Sequence, residues 1–253
     1  MDKMIHTALN TLHNLYDLRV LNSQNMANMT VAGYRRDLPN EGGTAFLLQD
    51  GEATAKAFAQ ETGPWGFSQR LGQIKSTGNE TDVALVDPGW FIIQPGEDGD
   101  PALSRRGDFS VDADGYLVNG AGDYVLSSGM SQISVPAYRE IKISQIGELL
   151  VNPLGAQENQ FQSLGMIATT TAKGFELTKG SDARIRPKGD EFPPVDQLAH
   201  MQQGMLETSN VNPIEEMVTS LEMQREFELN VKFIEALKKL DEGGAEIMRI
   251  AQE

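Results

Sequence analysis

The side chains in this sequence best suited to chemistry are three histidines, His6, His13 and His200, and an aspartate group, Asp108, Asp112 and Asp114, followed by Gly115. A histidine can serve as a general base or a metal ligand, and aspartates spaced before a glycine are how a calcium loop begins. His6 and His13 are seven residues apart and share a helical face, but two turns separate them by about 10 Å, too far for one metal ion. The aspartates lack the full loop spacing and its closing glutamate, so their spacing supports turns. Ser127 to Ser131, SSGMS, offers hydroxyls with no base that spacing nominates, and no GxSxG elbow, Walker phosphate loop or HExxH pair occurs. The many carboxylates single out no acid pair. No catalytic residue, metal or cofactor is therefore expected.

The elements that could position such groups are bounded by composition. The 253 residues, 40% apolar and 23% charged, suit an ordinary folded protein of one large domain or a modest domain with appended elements. A net charge of -15 repels phosphate backbones, and Arg35-Arg36, Arg105-Arg106 and Lys238-Lys239 are isolated basic pairs, so nucleic acid is not an expected partner. The apolar stretch from Val83 to Ile93 is interrupted by Asp87, Pro88 and Gly89, and no membrane span is expected. The opening MDKMIHTALN carries no secretory cleavage site, so a cleavable signal is not expected. The lack of cysteine excludes disulfides, zinc-thiolate sites and thiol catalysis, and suits work in an oxidising space.

Ile5, Ala8, Leu12 and Leu15, widened by Leu9 and Tyr16, recur at helical spacing, and the first helix is expected to end between Asn28 and Gly33. Its polar residues Asn22, Asn25 and Asn28 read either as a solvated helix end or as buried amides that set register. From Asp37 to Gly78 the pattern is of extended chain and loops, with a short helix possible over Glu52 to Gln60. Beyond Glu80 the chain reads as β. TDVALVDPGWFIIQP holds two runs around a Pro-Gly turn, and GDFSVDADGYLV predicts a hairpin with a primed turn at Asp114-Gly115. Asn119-Gly120 is a second turn. Ile141 and Ile143 with Leu149 and Val151 predict another hairpin, and Met166 to Thr171 with Phe175 to Thr178 predict further strands. Near the end, Asn212, Pro213 and Glu215 form a helix start. Ile214, Met217, Leu221, Phe227, Val231, Ile234 and Leu237, interrupted by Gln224, carry the following stripe to about Leu240. The fold class is α+β. The two terminal stripes can be buried on the β core or against helices of other chains.

The segment Asn25-Met26-Ala27-Asn28, with Thr30 and Gly33-Tyr34, resembles the amino-terminal signature of flagellar rod and hook proteins, Thr30 standing one place early. Gly204 to Glu242 is similar to the carboxy-terminal block of that family. Thr81 to Leu85, Gly89-Trp90-Phe91, Arg106 to Phe109 and Asp114 to Leu117 resemble its β-domain landmarks. The resemblance is thin from Asp37 to Gly78 and from Gln157 to Pro194. The opening Met1-Asp2-Lys3 and the short span from Tyr34 to Thr81 resemble the proximal-rod members more than the distal-rod ones.

The resemblance implies a structural subunit of the bacterial flagellar basal-body rod, not an enzyme. Residues 1–34 and 204–253 would be terminal helices forming a coiled-coil-like axial domain, 35–80 an extended linker, and 81–203 a β-rich core. It implies subunit-interface positions at Ile5, Leu12 and Leu15, and in the signature at Asn25, Asn28, Thr30, Gly33 and Tyr34. The carboxy-terminal block adds Leu206, Glu207, Ser209, Asn210 and Val211 before the helix. On the helix it adds Met217, Leu221, Gln224, Arg225, Phe227, Val231, Ile234 and Leu237. Implied partners are the other proximal-rod proteins, the distal-rod protein and the flagellar type III export apparatus, which would deliver the chain to the periplasmic rod to transmit torque. Gly243-Gly244 departs from the family pattern. Each internal glycine costs about 1 kcal/mol relative to alanine, so the helix is expected to kink or fray there. A β-rich periplasmic binding module and a hydrolase with an unrecognised site are the competing classes.

Overall fold

The computed structural model describes residues 2–39, 43–47, 56–60, 66–97, 99–155 and 160–250. The chain divides into two compact units, one comprising Met1–Ala27, Asp37–Gly66 and Asn212–Glu253, the other Asn28–Arg36 and Phe67–Val211. The amino-terminal signature is thus split, Asn25 to Ala27 belonging to the first unit and Asn28 to Tyr34 to the second.

The first unit holds α1 (Asp2–Ala27), β1 (Asp37–Leu38), the antiparallel pair β2 (Gly43–Leu47) and β3 (Lys56–Gln60), and α2 (Pro213–Ile250). β3 corrects the expected helix over Glu52 to Gln60. Lys56 to Gln60 pair residue by residue with β2, and that ladder overrides the helix propensity of Ala57 and Ala59. Residues 52–55 lie outside the described residues. α1 stops at Ala27, just ahead of the expected range. α2 starts where predicted, the Asn212 side-chain oxygen accepting the Ile214 amide at 3.1 Å. It then runs beyond Leu240 and through Gly243-Gly244 to Ile250, so the expected stop near Leu240 and fraying at the glycines are not seen. About 1 kcal/mol per glycine does not end a helix once propagation has begun.

The two terminal stripes meet each other. α1 and α2 pack together, with Asn22 of α1 hydrogen-bonded to Glu216 in the first turn of α2. Burial continues from that contact to Ala8 on α1 and to Leu237 on α2, so the helices run antiparallel. Ala8, Leu15 and Asn22 are buried at seven-residue spacing, as are Glu216 and Met223, with Leu237 two further repeats along.

β4 (Gly66–Phe67) spans the boundary of the units, and from Phe67 on the regular elements of the second unit are all strands. Its largest sheet contains β7 (Trp90–Gln94), β8 (Ala102–Ser104), β9 (Phe109–Val111), β10 (Leu117–Asn119), β11 (Tyr124–Val125), β15 (Thr169–Thr170), β16 (Leu177–Lys179) and β17 (Ile185–Pro187). A meander of β12 (Tyr138–Ile143), β13 (Glu148–Pro153) and β14 (Gln162–Met166) stands beside it. Two short pairs join distant segments, β5 (Ile74–Ser76) with β19 (Met205–Glu207) and β6 (Val83–Leu85) with β18 (Met201–Gln203).

β7, the run WFIIQ, is buried on both faces. Phe91 and Ile93 enter a cluster with Leu85, Phe109, Ile141 and Leu149, whereas Trp90 and Ile92 enter another with Leu103, Leu126 and Ile185. A continuous apolar run is what such a strand requires. The two runs flanking Pro88-Gly89 both form strands, but β6 pairs with β18 and β7 with β8, so that turn is no hairpin. The hairpin β9–β10 has the expected partners with a different turn. Only Gly115 takes positive φ, +83°, while the Gly115 amide bonds the Asp112 carbonyl at 3.2 Å. This is a three-residue loop whose glycine occupies the left-handed position, instead of a primed two-residue turn. β12 and β13 align Ile141 with Val151 and Ile143 with Leu149, as the sequence predicts.

Candidate functional site

Within the second unit, the segment Asn28 to Arg36 lies alongside the segment leaving β19. The Gly33 amide donates to the Glu207 carbonyl at 2.8 Å, the Asn210 amide to the Tyr34 carbonyl at 3.2 Å, and the Arg36 amide to the Asn210 side-chain oxygen at 2.7 Å. The Asn210 amide group then reaches the carbonyls of Ser68 and Arg70 at 3.2 and 2.7 Å. Gly33 has φ of +64°, a conformation that favours glycine.

A buried charge group anchors this arrangement. The Glu207 carboxylate receives Arg35 at 3.0 Å and the Gly72 amide at 2.6 Å on one oxygen, and Arg105 at 2.6 Å on the other. Arg105 also donates to the carbonyls of Leu85, Asp87 and Gly89 at 2.9, 2.7 and 2.8 Å. The Arg35 guanidinium bonds the Arg70 carbonyl and stacks over Trp90 at 5.6 Å. Burial, opposed by the Glu207 charge, pulls Arg35 down to about 10 and lowers Arg105 as well. Both stay protonated near neutral pH. The sequence reading missed these two arginines, treating each as half of an isolated basic pair.

The cleft beside this group measures about 120 Å³. Small-molecule sites usually need roughly 300 Å³ or more. Its charges are already engaged: Lys179 with the Tyr34 ring at 3.8 Å and the Arg35 carbonyl at 2.8 Å, Arg106 with Asp108, and Arg184 with Asp123.

The groups first considered for chemistry lie elsewhere. Asp112 accepts the amides of Asp114 and Tyr116 at 3.1 and 2.7 Å, closing its turn. Asp108 forms a two-point contact with Arg106 at 2.7 and 2.9 Å. His13 is exposed beside Asp17, and the side chain of His6 lies outside the described residues. His200 sits 2.6 Å from Asp87, and this hydrogen bond lowers the Asp87 pKa. Among the described residues, no three His, Asp or Glu side chains are placed to hold a metal ion.

The first unit presents a different feature: α2 is apolar on two faces. Met223, Ile234 and Leu237 turn inward, with Val231 partly covered. On the other side Ile214 is 74% exposed, Leu221 60% and Leu240 65%, joined by Met217, Val218 and Leu229. The predicted stripe is thus two stripes. Of its interface positions, Met217, Leu221, Gln224, Arg225 and Phe227 are exposed, whereas Val231 and Ile234 are half-buried and Leu237 is buried.

The remaining predicted positions are mostly engaged within the chain. Leu15 is buried and Leu12 half-buried, and the side chain of Ile5 is outside the described residues. Asn25 is fully buried, and its amide meets both backbone groups of Asp37, at 3.0 and 2.8 Å. Asn28 and Leu206 are half-buried, Ser209 and Val211 buried, and Thr30 exposed. Among the described residues no helix is long and apolar enough to cross a membrane.

Residues 84–151 match the family described as the flagellar hook protein FlgE/F/G D1 domain, and residues 202–246 the flagellar basal body rod FlgEFG protein C-terminal. The chain is 27% identical to the basal-body rod protein FlgF of Salmonella typhimurium over 97% of both chains. It is 30% identical to FlgF of Rhizobium meliloti over 81% of both. It is 26% identical to the rod protein FlgG of Agrobacterium fabrum, over 84% of this chain and 86% of that one.

Proposed function

This chain belongs to the flagellar basal-body rod proteins, and on that premise we propose that it is a proximal-rod subunit of the FlgF type whose terminal helices join those of neighbouring rod subunits to carry torque. The observation that carries this reading is the second apolar face of α2, where Ile214, Met217, Leu221, Leu229 and Leu240 stand exposed. Burying such side chains contributes about 1.5 to 3 kcal/mol each, so a neighbouring helix laid on this face would be held strongly. Match to FlgF of Salmonella typhimurium over nearly the whole of both chains supports the proximal type over the distal. In this reading the role is mechanical and non-enzymatic, the partners are other rod proteins in the periplasmic part of the basal body, and the type III apparatus exports the chain without signal cleavage.

The sequence contains no cysteine, so one introduced thiol reports a single position. Leu221→Cys should react freely with a maleimide in the purified chain and be protected in isolated basal bodies. Equal labelling in both states would remove α2 from the interface, and absence of the chain from basal bodies would remove the rod assignment.

A further inference from the structure

We propose that the second unit carries two complementary surfaces by which copies of this chain join head to tail, the strip from Arg70 to Lys75 of one copy docking on the face around Tyr116 and Tyr124 of the next. The strip is an open edge. β5 pairs with β19 alone, and Ile74, Lys75 and Ser76 are all exposed. Arg70 is exposed just before them, and Leu71 and Ile74 leave 45% and 39% of their surface to solvent. From Phe67 to Asn79 the sequence holds these two cations and no carboxylate. Neither Arg70 nor Lys75 forms an ion pair among the described residues.

The face supplies what the strip lacks. Gln94, Tyr124, Val118 and Ser110 oppose one another across β7, β11, β10 and β9, so they share one side of the sheet, and Tyr116, two residues from Val118, extends it. The two half-buried tyrosine rings meet edge to face at 5.7 Å. Partial burial first, and then the charges of Glu97, Asp112 and Asp114, raise the Tyr124 pKa, so three carboxylates surround that ring. Glu97 and Asp114 are exposed and hold no cation among the described residues, and the sequence has no lysine or arginine from Gly107 to Tyr138. Tyrosine rings flanked by carboxylates attract guanidinium and ammonium groups, and their carbons suit Leu71 and Ile74.

β7 sets the direction of the contact. At its Trp90 end, the Arg35 guanidinium lies 5.6 Å over the ring and pairs with Glu207, the ladder neighbour of Ile74. At its other end, Gln94 donates to the Glu97 carbonyl at 2.8 Å and has Tyr124 as its cross-strand neighbour. The five residues of β7 span about 13 Å, which puts strip and face at opposite ends of the strand. A contact between them is heterologous, so it grows an open series of copies instead of closing a dimer. Both surfaces belong to the second unit, so the contact stands or falls separately from the rod assignment and from the apolar face of α2.

The test follows self-association of the full chain by sedimentation at low ionic strength. The parent chain should associate, and should cease to do so in 1 M salt, where the screening length falls to about 3 Å. One variant reverses the strip, Arg70→Glu with Lys75→Glu, and a second reverses the face, Glu97→Lys with Asp114→Lys. Each alone should associate at least tenfold more weakly than the parent. The first makes the chain more acidic and the second less so, so general charge repulsion predicts opposite effects where the proposed contact predicts loss in both. An equimolar mixture of the two should associate to within threefold of the parent, because each reversed surface then meets its complement on the other variant. That recovery also shows that both variants are folded.

A parent chain that stays monomeric at low salt would overturn the proposal. So would a mixture that stays monomeric. Association that survives either reversal would also overturn it, by assigning the contact to the exposed face of α2.

Discussion

Gly33 faces Arg105 so closely that a methyl group on its Cα would lie 2.2 Å from the Arg105 carbonyl oxygen. The obstacle is backbone, which cannot rotate aside, and the positive φ of Gly33 adds about 1 to 2 kcal/mol for any other residue. Gly33→Ala should therefore lose more than that amount of stability in urea titrations followed by the fluorescence of buried Trp90. A midpoint unchanged from the parent chain would show that the two segments are not packed in this way.

Arg35 and Arg105 share the Glu207 carboxylate. Glu207→Ala leaves two buried guanidinium groups without their counter-charge and should cost about 3 to 5 kcal/mol. Glu207→Gln keeps an acceptor for the Gly72 amide and should cost less. Equilibrium unfolding of the two variants checks the order, and a larger loss for Gln than for Ala would contradict it.

Asp182 offers a dependence on acid. The two-point hydrogen bond from Arg186, at 3.0 and 2.6 Å, holds its carboxyl at about 2. The folded pKa lies below the usual value of about 3.9, so the stabilisation is fully present above pH 4 and is lost as pH falls through about 2. The difference in melting temperature between the parent chain and Asp182→Asn should be constant from pH 5 to 7, shrink below pH 4 and vanish near pH 2. A difference that persisted undiminished at pH 2 would assign it to packing.

Leu221 is exposed, so Leu221→Asp should change the stability of the isolated chain by no more than about 0.5 kcal/mol. In the proposed rod the same aspartate would enter a dry seam and should abolish motility. Cells carrying the variant that swim normally would place the seam elsewhere.

The parts legible in the sequence were those with local chemistry. Asn212-Pro213 starts α2 because a cap and a fixed φ act within three residues. The alternation of Ile141, Ile143, Leu149 and Val151 needs only a hairpin. The group of Arg35, Arg105 and Glu207 left no such trace, since its members are separated by 70 and 102 positions and are neighbours only in the folded unit. The family resemblance marked Gly33 and Glu207, though with no indication that they bond each other. The stripe on α2 misled for a related reason: helical spacing reports that residues are apolar, and here apolar residues occupy both sides. At Asp114-Gly115 the Asp-Gly pair signalled a turn, but the Asp112 carboxylate, bonded to two amides beyond it, selected the turn type.

The segments from Gly33 to Arg36 and from Glu207 to Asn210 advance in the same direction, Gly33 bonding Glu207 and Tyr34 bonding Asn210. Because the crossings fall in one short stretch, neither segment can be displaced along the other without breaking both, and the side chains of Arg35, Arg105 and Glu207 pin the stretch through its middle.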